Sequence, residues 1–288
     1  MSDPGQSVLV VGGGIIGATC AYYLAESGKK VTVIDQATFG SQCSLHNCGY
    51  VCPSHVLPLT EPGAVWATLK GMFKPNSPFS VKFRPDWRLA DWFLRFTLRC
   101  NEKDMMKGAR ALYPLLQSSM KLYREMLDKE RIDCEWQDKG LFYVYKDKQT
   151  FDSFEKTNDM LTEKFGETAV RVEPEELQQL EPALKDGLAG GWHYKEDAHL
   201  RSDLLMSELK NTLLQKGVRI LENHTLTGLR ESREGLIAET GVGPVEADHL
   251  VLATGALTPK LAKIVGWRAP IEVGKGYSIT MKRPGICP

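Results

Sequence analysis

Two runs, residues 8–18 (VLVVGGGIIGA) and 30–35 (KVTVID), decide the fold. Residues 8–11 are continuously apolar and β-branched-rich, and 31–34 (VTVI) are β-branched throughout. Neither run alternates with polar residues, the pattern of a strand buried on both faces of a parallel sheet. Between them, residues 18–27 read as a helix with Ala21, Leu24 and Ala25 on one face and Gly28 as its C-terminal stop. The unit is a βαβ crossover near the start of the chain.

The glycines sit where a strand turns into a helix. A lone G-x-G-x-x-G is weak evidence, but Gly12, Gly14 and Gly17 follow a strand and open a helix, and Asp35 closes the next strand. Gly12 permits the tight turn, Gly14 lets the backbone approach a pyrophosphate, and Gly17 lets the helix pack close to the strands. The helix N-terminus, with Ile15 and Ile16 in its first turn, offers free N–H groups and a positive dipole end to phosphates. Asp35 can accept from both hydroxyls of a ribose and would repel a 2′-phosphate, which disfavours NADP. The expectation is therefore a dinucleotide site. A simple NAD domain would continue with alternating strands and helices. Here the chain leaves the sheet after Asp35 for more than a hundred residues and returns at 217–221 and 250–253, a layout that suits a flavoprotein better.

Composition narrows the remaining classes. The chain has 288 residues, 42% of them hydrophobic, enough for two units with their own cores. Lys plus Arg and Asp plus Glu are both 36, so the balanced charge leaves no electrostatic footprint for nucleic acid. There is no secretory pattern at the start and no apolar run of transmembrane length, and the seven cysteines show no staple-like spacing. A reduced, cytoplasmic setting is expected, with peripheral contact at the inner face of a membrane as a less favoured addition. That addition rests on the aromatic amphipathic residues between 66 and 101 (Trp66, Phe73, Phe83, Trp87, Trp92, Phe93, Phe96), which read more simply as helices covering a sheet or another domain. Cys43, His46, Cys48 and Cys52 cluster, but their irregular gaps lack the paired spacing of a zinc site, and no metal is expected. His193, His199, His224 and His249 show no ligand spacing.

Further along, helices are expected at 109–129, 151–165, 174–180 and 202–215. Strands are expected at 140–145 and 190–194, a small antiparallel meander over 226–245, and a last strand at 271–281.

Several segments together resemble the D-amino-acid dehydrogenase branch of the D-amino-acid oxidase-like flavoproteins. They are residues 10–18 with 21–25 (AYYLA), 44–53 (SLHNCGYVCP), Pro85-Asp86 with Trp92, and 98–100 (LRC). They continue with 140–142 (GLF), 172–174 (VEP), 180–184 (LEPAL), 253–256 (ATGA) and 275–278 (KGYS). The resemblance runs the length of the chain in order. It implies an interrupted Rossmann-like FAD-binding domain (1–55 and 198–266) and an α+β substrate domain with a mixed or antiparallel sheet (56–197 and 267–288). It implies FAD held by Gly12, Gly14, Ile15, Ile16 and Gly17, with Asp35 on the ribose and Ser44 facing the phosphates. The backbone of Asn47, Cys48 and Gly49 would pass the flavin ring, Leu226 would meet the adenine edge, and Thr254 and Gly255 would pass near the pyrophosphate. Gln36 stands where the family usually has a basic residue, and His46 and Cys48 are larger or more polar than its usual residues. The family's chain continues beyond this one, so the substrate domain is expected to be incomplete and to lack the usual carboxylate-clamping arginine.

The implied reaction is hydride transfer from Cα of a D-amino acid to flavin, an imine and then a keto acid following, with an electron acceptor that the residues do not name. No side chain is required as a base, so no catalytic residue is assigned; Tyr143, Tyr145, Tyr277 and His55 are candidates for the substrate side. A covalent flavin link through His46 or Cys48 is disfavoured. Alternatives are oxidation of a secondary amine or a 2-hydroxy acid, a non-catalytic dinucleotide-binding fragment, and an NAD-binding module.

Overall fold

A computed structural model describes residues 5–63, 65–66, 85–233, 235–267, 269–279, 281–282 and 285–286. The chain opens with β1 (Ser7–Val11), α1 (Ile15–Glu26) and β2 (Lys30–Ile34), then a two-residue strand, β3 (Tyr50–Val51). Next come α2 (Trp87–Arg99), the 29-residue α3 (Glu102–Glu130), β4 (Leu141–Tyr145) and α4 (Lys148–Phe165). They are followed by β5 (Val170–Val172), α5 (Pro174–Leu180), β6 (Gly190–Tyr194) and β7 (Ala198–His199). The last stretch holds α6 (Ser202–Gln215), β8 (Arg219–Leu221), β9 (Leu226–Ser232), β10 (Gly235–Thr240), β11 (Val245–Ala247) and β12 (His249–Leu252). A 3-10 turn (Gly255–Leu261) and a short α7 (Ala262–Val265) follow.

The chain divides into two compact units: residues 1–49, 126–135 and 200–278, and residues 50–125, 136–199 and 279–288. In the first, four parallel strands run in the order β12-β1-β2-β8. Leu9, Val10, Val33 and Ile34 are fully buried, which is why neither run alternates. The chain winds from β1 through α1 to β2 on one side and returns as β12 on the other. The direction of winding therefore switches between β1 and β12, at the end where both strands finish. In open α/β sheets that crevice is where ligands bind. The meander expected at 226–245 is the antiparallel sheet β11-β10-β9, and its inward residues Leu226, Ala238 and Ala247 share a core with Leu9, Val11 and Ile34.

The second unit is built on the antiparallel sheet β4-β6-β5, with β3 and β7 paired separately. Its core joins α3 (Met105, Met106, Ala109) and α4 (Phe151, Leu161, Phe165) to Trp192 and Tyr194 of β6. The indole N–H of Trp192 donates to the Phe151 carbonyl at 3.1 Å, which satisfies the ring's one donor inside that core. Asp86 caps α2 and Asp147 caps α4 through their carboxylates. Trp66 and Trp92 belong to described residues, whereas Phe73 and Phe83 lie outside them.

One expected element is absent. Residues 271–279 and 281 carry an apolar alternation broken at Lys275 and take no regular structure, and Val273, Tyr277, Ile279 and Met281 are exposed. A strand needs a neighbour for its backbone N–H and C=O groups, and none of the described residues pairs with this segment.

Candidate functional site

At the switch between β1 and β12, the glycine loop is close-packed against backbone on two sides. Gly12 has φ +107°, and a Cβ there would stand 2.5 Å from the Ala253 carbonyl oxygen at the end of β12. A Cβ on Gly17 would collide with the Gly12 carbonyl. Only glycine lets α1 begin this close to the loop. Gly14, the N-cap of α1, is different: it has ordinary extended backbone, and a Cβ would meet only the Ser44 Oγ at 3.0 Å.

The start of α1 carries no acidic residue and no side-chain cap from Gly14. Ser44 reaches across, and its Oγ accepts the Ile15 N–H at 2.9 Å, which leaves its own hydroxyl hydrogen to donate elsewhere. The remaining first-turn N–H groups of the helix, beside the exposed Ile16, have no intrahelical partner and sit at the positive end of the dipole. This is a cradle for an anion.

Asp35 is half-buried at the end of β2. Its Oδ2 accepts the Gly13 N–H at 2.7 Å and its Oδ1 the Ala37 N–H at 2.8 Å. The acid expected for a ribose therefore also anchors the glycine loop. Each oxygen keeps a second lone pair for a further donor. Gln36 beside it is exposed. Leu226 opens β9 opposite Thr240, at the point where the β9–β10 register shifts, and its side chain is buried. Thr254 precedes the 3-10 turn with its Oγ1 2.9 Å from that of Thr258, and Gly255 follows with φ +49°.

The loop at residues 43–49 is tied together by Asn47. Its Nδ2 donates to the carbonyls of Cys43 (3.1 Å) and Ser44 (2.9 Å), and its Oδ1 accepts the Gly49 N–H at 2.7 Å. Gly49, at φ +68°, has no room for a Cβ against the Leu200 carbonyl, and its own carbonyl accepts the Leu200 N–H. The Asn47 side chain is thus committed to shaping the loop, while Cys48 and His46 are exposed. Cys52 is buried and its thiol is pushed up to about 12 by burial and then by Asp197, so it stays protonated.

Of the four substrate-side candidates, His55, Tyr143 and Tyr145 fall in the second unit and Tyr277 in the first, although residues 267–288 are expected to belong to the substrate domain. His55 and Tyr143 come together, the imidazole Nε2 against the phenolic oxygen. Burial, then the neighbouring Cys52 and Asp197, raises the Tyr143 phenol above its ordinary value, so the group stays protonated as a donor. Tyr145 packs against Phe151 and Phe154, with ring centroids at 6.0 and 5.8 Å, and serves the core. Tyr277 is 87% exposed in an irregular segment and meets only the Lys275 ammonium among the described contacts. What sequence reading missed is Asp197. It ends the charged run Lys195-Glu196-Asp197 that follows β6, yet Asp197 is only 1% exposed.

The residues around the glycine loop fit a flavin dinucleotide. A Cβ at Gly14 would intrude beside the Ser44 Oγ, the first-turn N–H groups suit a pyrophosphate, and Asp35 retains acceptor capacity for a ribose. Among the described residues, no helix is long and apolar enough to cross a membrane.

Comparison with known proteins adds weight from outside the chain. The family model described as FAD dependent oxidoreductase (DAO) matches residues 7–287. D-amino acid dehydrogenase from Neisseria meningitidis is 30% identical over 285 residues, covering 96% of this chain and 67% of the relative. The enzyme of the same name from Helicobacter pylori is 30% identical over 283 residues, with 97% and 67% covered. Glycine oxidase from Geobacillus kaustophilus superposes with a TM-score of 0.66 at 21% identity, over 92% of this chain and 59% of that one. L-amino acid deaminase from Proteus vulgaris gives 0.64 at 16%, over 93% and 51%. These two likenesses speak for the fold alone, and the chain spans about half to two thirds of the length of all four. With the family model matching nearly the whole sequence and the glycine loop seated at the sheet's switch point, the chain belongs to the DAO family of FAD-dependent oxidoreductases.

Proposed function

We propose that the chain carries out part or all of an FAD-dependent oxidative deamination of a D-amino acid. The observation that carries the reading is the glycine loop at the β1/β12 switch, in a chain 30% identical to D-amino acid dehydrogenases over 96% of its length. Bound FAD supplies the acceptor for the hydride that leaves Cα of the neutral amine, and the resulting imine takes up water to give a keto acid and ammonia.

The first unit holds the cofactor in this reading. The loop at Gly12, Gly14 and Gly17 and the first-turn amides of Ile15 and Ile16 receive the pyrophosphate. Ser44 donates its free hydroxyl hydrogen to a phosphate oxygen. Asp35, with Gln36 beside it, takes the adenosine ribose, and the backbone of Leu226 takes the adenine edge. Thr254 and Gly255 close the phosphate side, and the Asn47-Cys48-Gly49 backbone borders the flavin ring. The second unit supplies part of the substrate site, where His55 and Tyr143 orient the amino-acid carboxylate. This reading assigns no role to Tyr145 or Tyr277.

Two measurements test the reading. The visible spectrum, recorded anaerobically, is expected to show two flavin bands that bleach when D-amino acids are added. Bleaching by a secondary amine or a 2-hydroxy acid instead would move the substrate class. Flavin that no donor bleaches would reduce the chain to a cofactor-binding fragment, and absence of flavin with saturable NAD binding would reverse the cofactor assignment. Asp35→Ala is expected to raise the FAD dissociation constant about 10- to 100-fold, because it removes a charged acceptor that also anchors the loop. A titration of flavin fluorescence giving the wild-type constant would take Asp35 out of the site.

A further inference from the structure

Asp197 lies in the second unit, immediately before β7, and is the most buried acidic side chain among the described residues. A carboxylate at that depth is costly unless donors meet its oxygens. Its Oδ2 accepts the Ser54 hydroxyl at 2.6 Å, its Oδ1 accepts the Ser54 N–H at 3.2 Å, and the Cys52 thiol donates to it as well. Its main-chain carbonyl accepts the Gly140 N–H at 3.0 Å. One residue therefore ties down two segments that are far apart in the chain. The side chain holds the loop at residues 52–54, and His55 is the next residue. The main chain holds the entry to β4, whose third residue is Tyr143.

Those two held residues meet each other. The His55 ring stands edge-on to that of Tyr143, 6.0 Å between centroids, with Nε2 against the phenolic oxygen. Two arrangements of the shared hydrogen are open to a neutral imidazole. If Tyr143 donates to Nε2, the Nδ1–H is left over; if Nε2–H donates, the phenolic O–H is left over. Either way the pair keeps one donor for an anionic ligand. Around Asp197 stand Cys52, Ser54 and His55 from the loop, Tyr143 from β4, Tyr194 from β6 and Glu167 ahead of β5. An isosteric apolar core would hold this loop without burying a charge. What the carboxylate adds is direction: two oxygens that set the loop by both its N–H and its hydroxyl.

We propose that Asp197 is a positioning residue that presents His55 and Tyr143 as one rigid hydrogen-bonding unit toward the carboxylate of the amino-acid substrate. The proposal rests on the assignment of that pair to the substrate side made above.

The test uses the FAD-loaded full chain in four forms: Asp197→Asn, Ser54→Ala, Tyr143→Phe and the Asp197→Asn/Tyr143→Phe double variant. Histidine ring resonances, followed by ¹⁵N-labelled NMR without substrate, report whether the His55–Tyr143 bond survives. Asp197→Asn and Ser54→Ala are each expected to move the His55 signals to the positions they take in Tyr143→Phe. In dye-reduction kinetics, KM for the D-amino acid is expected to rise about tenfold in each single variant, with kcat changed much less. The double variant is expected to be no worse than either single one, because both remove the same interaction. Unmoved His55 signals in folded variants, or effects that multiply in the double variant, would overturn the proposal. Should Asp197→Asn fail to fold, Ser54→Ala, which removes one donor and keeps the carboxylate, carries the test. Moved signals in a protein that oxidises no D-amino acid would uphold the positioning role and sink the substrate reading. Unmoved signals in a protein that turns over would do the reverse.

Discussion

Replacing Gly14 by valine is expected to leave the fold standing and to weaken FAD binding by at least about a hundredfold, roughly 2.7 kcal/mol. Gly14 has an extended backbone, φ −75° and ψ −178°, which any residue adopts, and a Cβ there would meet only the Ser44 Oγ at 3.0 Å. The protein can absorb that contact. A bound phosphate cannot, because the branched side chain would stand at the mouth of α1 where the N–H groups face outward. Gly17→Ala is expected to behave in the opposite order. Its single added carbon strikes the Gly12 backbone carbonyl, which cannot rotate away as a side chain could, so α1 must shift. A loss of about 2–4 kcal/mol in the apoprotein is expected, of the size seen when a packed core is overfilled or strained. Thermal unfolding of the two apoproteins, set beside FAD titration, separates the effects. A Gly14→Val protein that holds FAD normally would show that the loop is not the phosphate cradle. A Gly17→Ala protein as stable as the parent would show that the helix does not pack as described.

That contrast also marks how far the sequence could be read. The βαβ start was legible because two short β-branched runs and three spaced glycines sit within residues 8–35, and local pattern alone imposes the crossover. The meander β9-β10-β11 was legible for the same reason, since its pairings are between neighbours in the chain. Asp35 was legible as an acid at the end of β2, but not as the anchor of Gly13, which depends on the two loops meeting. Asp197 was not legible at all. Its burial depends on segments far apart in the chain meeting, among them Tyr50 with His199 and Val51 with Ala198, almost 150 residues apart. The segment at 271–281 failed in the other direction: alternation specifies which faces a strand would show, but pairing supplies the strand, and the described residues offer no partner.

The second large effect is expected at Glu130, where the end of α3 meets α1 and α6 within the first unit. The Glu130 Oε1 accepts the hydroxyl of Tyr22 at 2.7 Å and the Lys216 ammonium at 2.9 Å. Lys216 also reaches Glu26 at 2.6 Å, and Glu26 in turn pairs with Lys129. Tyr22 is almost wholly buried, so its hydroxyl depends on this one carboxylate. Glu130→Ala would leave the buried Tyr22 hydroxyl without its acceptor and Lys216 with Glu26 alone, and an unmet buried donor costs more than a half-buried ion pair contributes. A loss of about 2–3 kcal/mol is expected, which lowers the unfolding midpoint by roughly 3–5 °C in a chain of this size. The exposed pair Arg95–Asp91 on α2 is the control, and Arg95→Ala is expected to change stability by less than about 0.5 kcal/mol. The pH dependence follows from direction. Burial alone would raise the Glu130 carboxyl, but the Tyr22 hydroxyl and Lys216 more than offset it and hold the group below its ordinary 4.5; hydrogen bonds from Lys129 and Lys216 hold Glu26 below it too. A carboxyl lowered in the folded state contributes stability that is fully present above its ordinary value and is lost as pH falls through the folded one. The gap between wild type and Glu130→Ala is therefore expected to be constant near neutrality and to narrow once the pH drops below about 4.5. A gap that stayed the same down to full protonation would mean that the residue contributes packing and not charge. Equal losses in Glu130→Ala and Arg95→Ala would mean that the cluster is no more than a surface network.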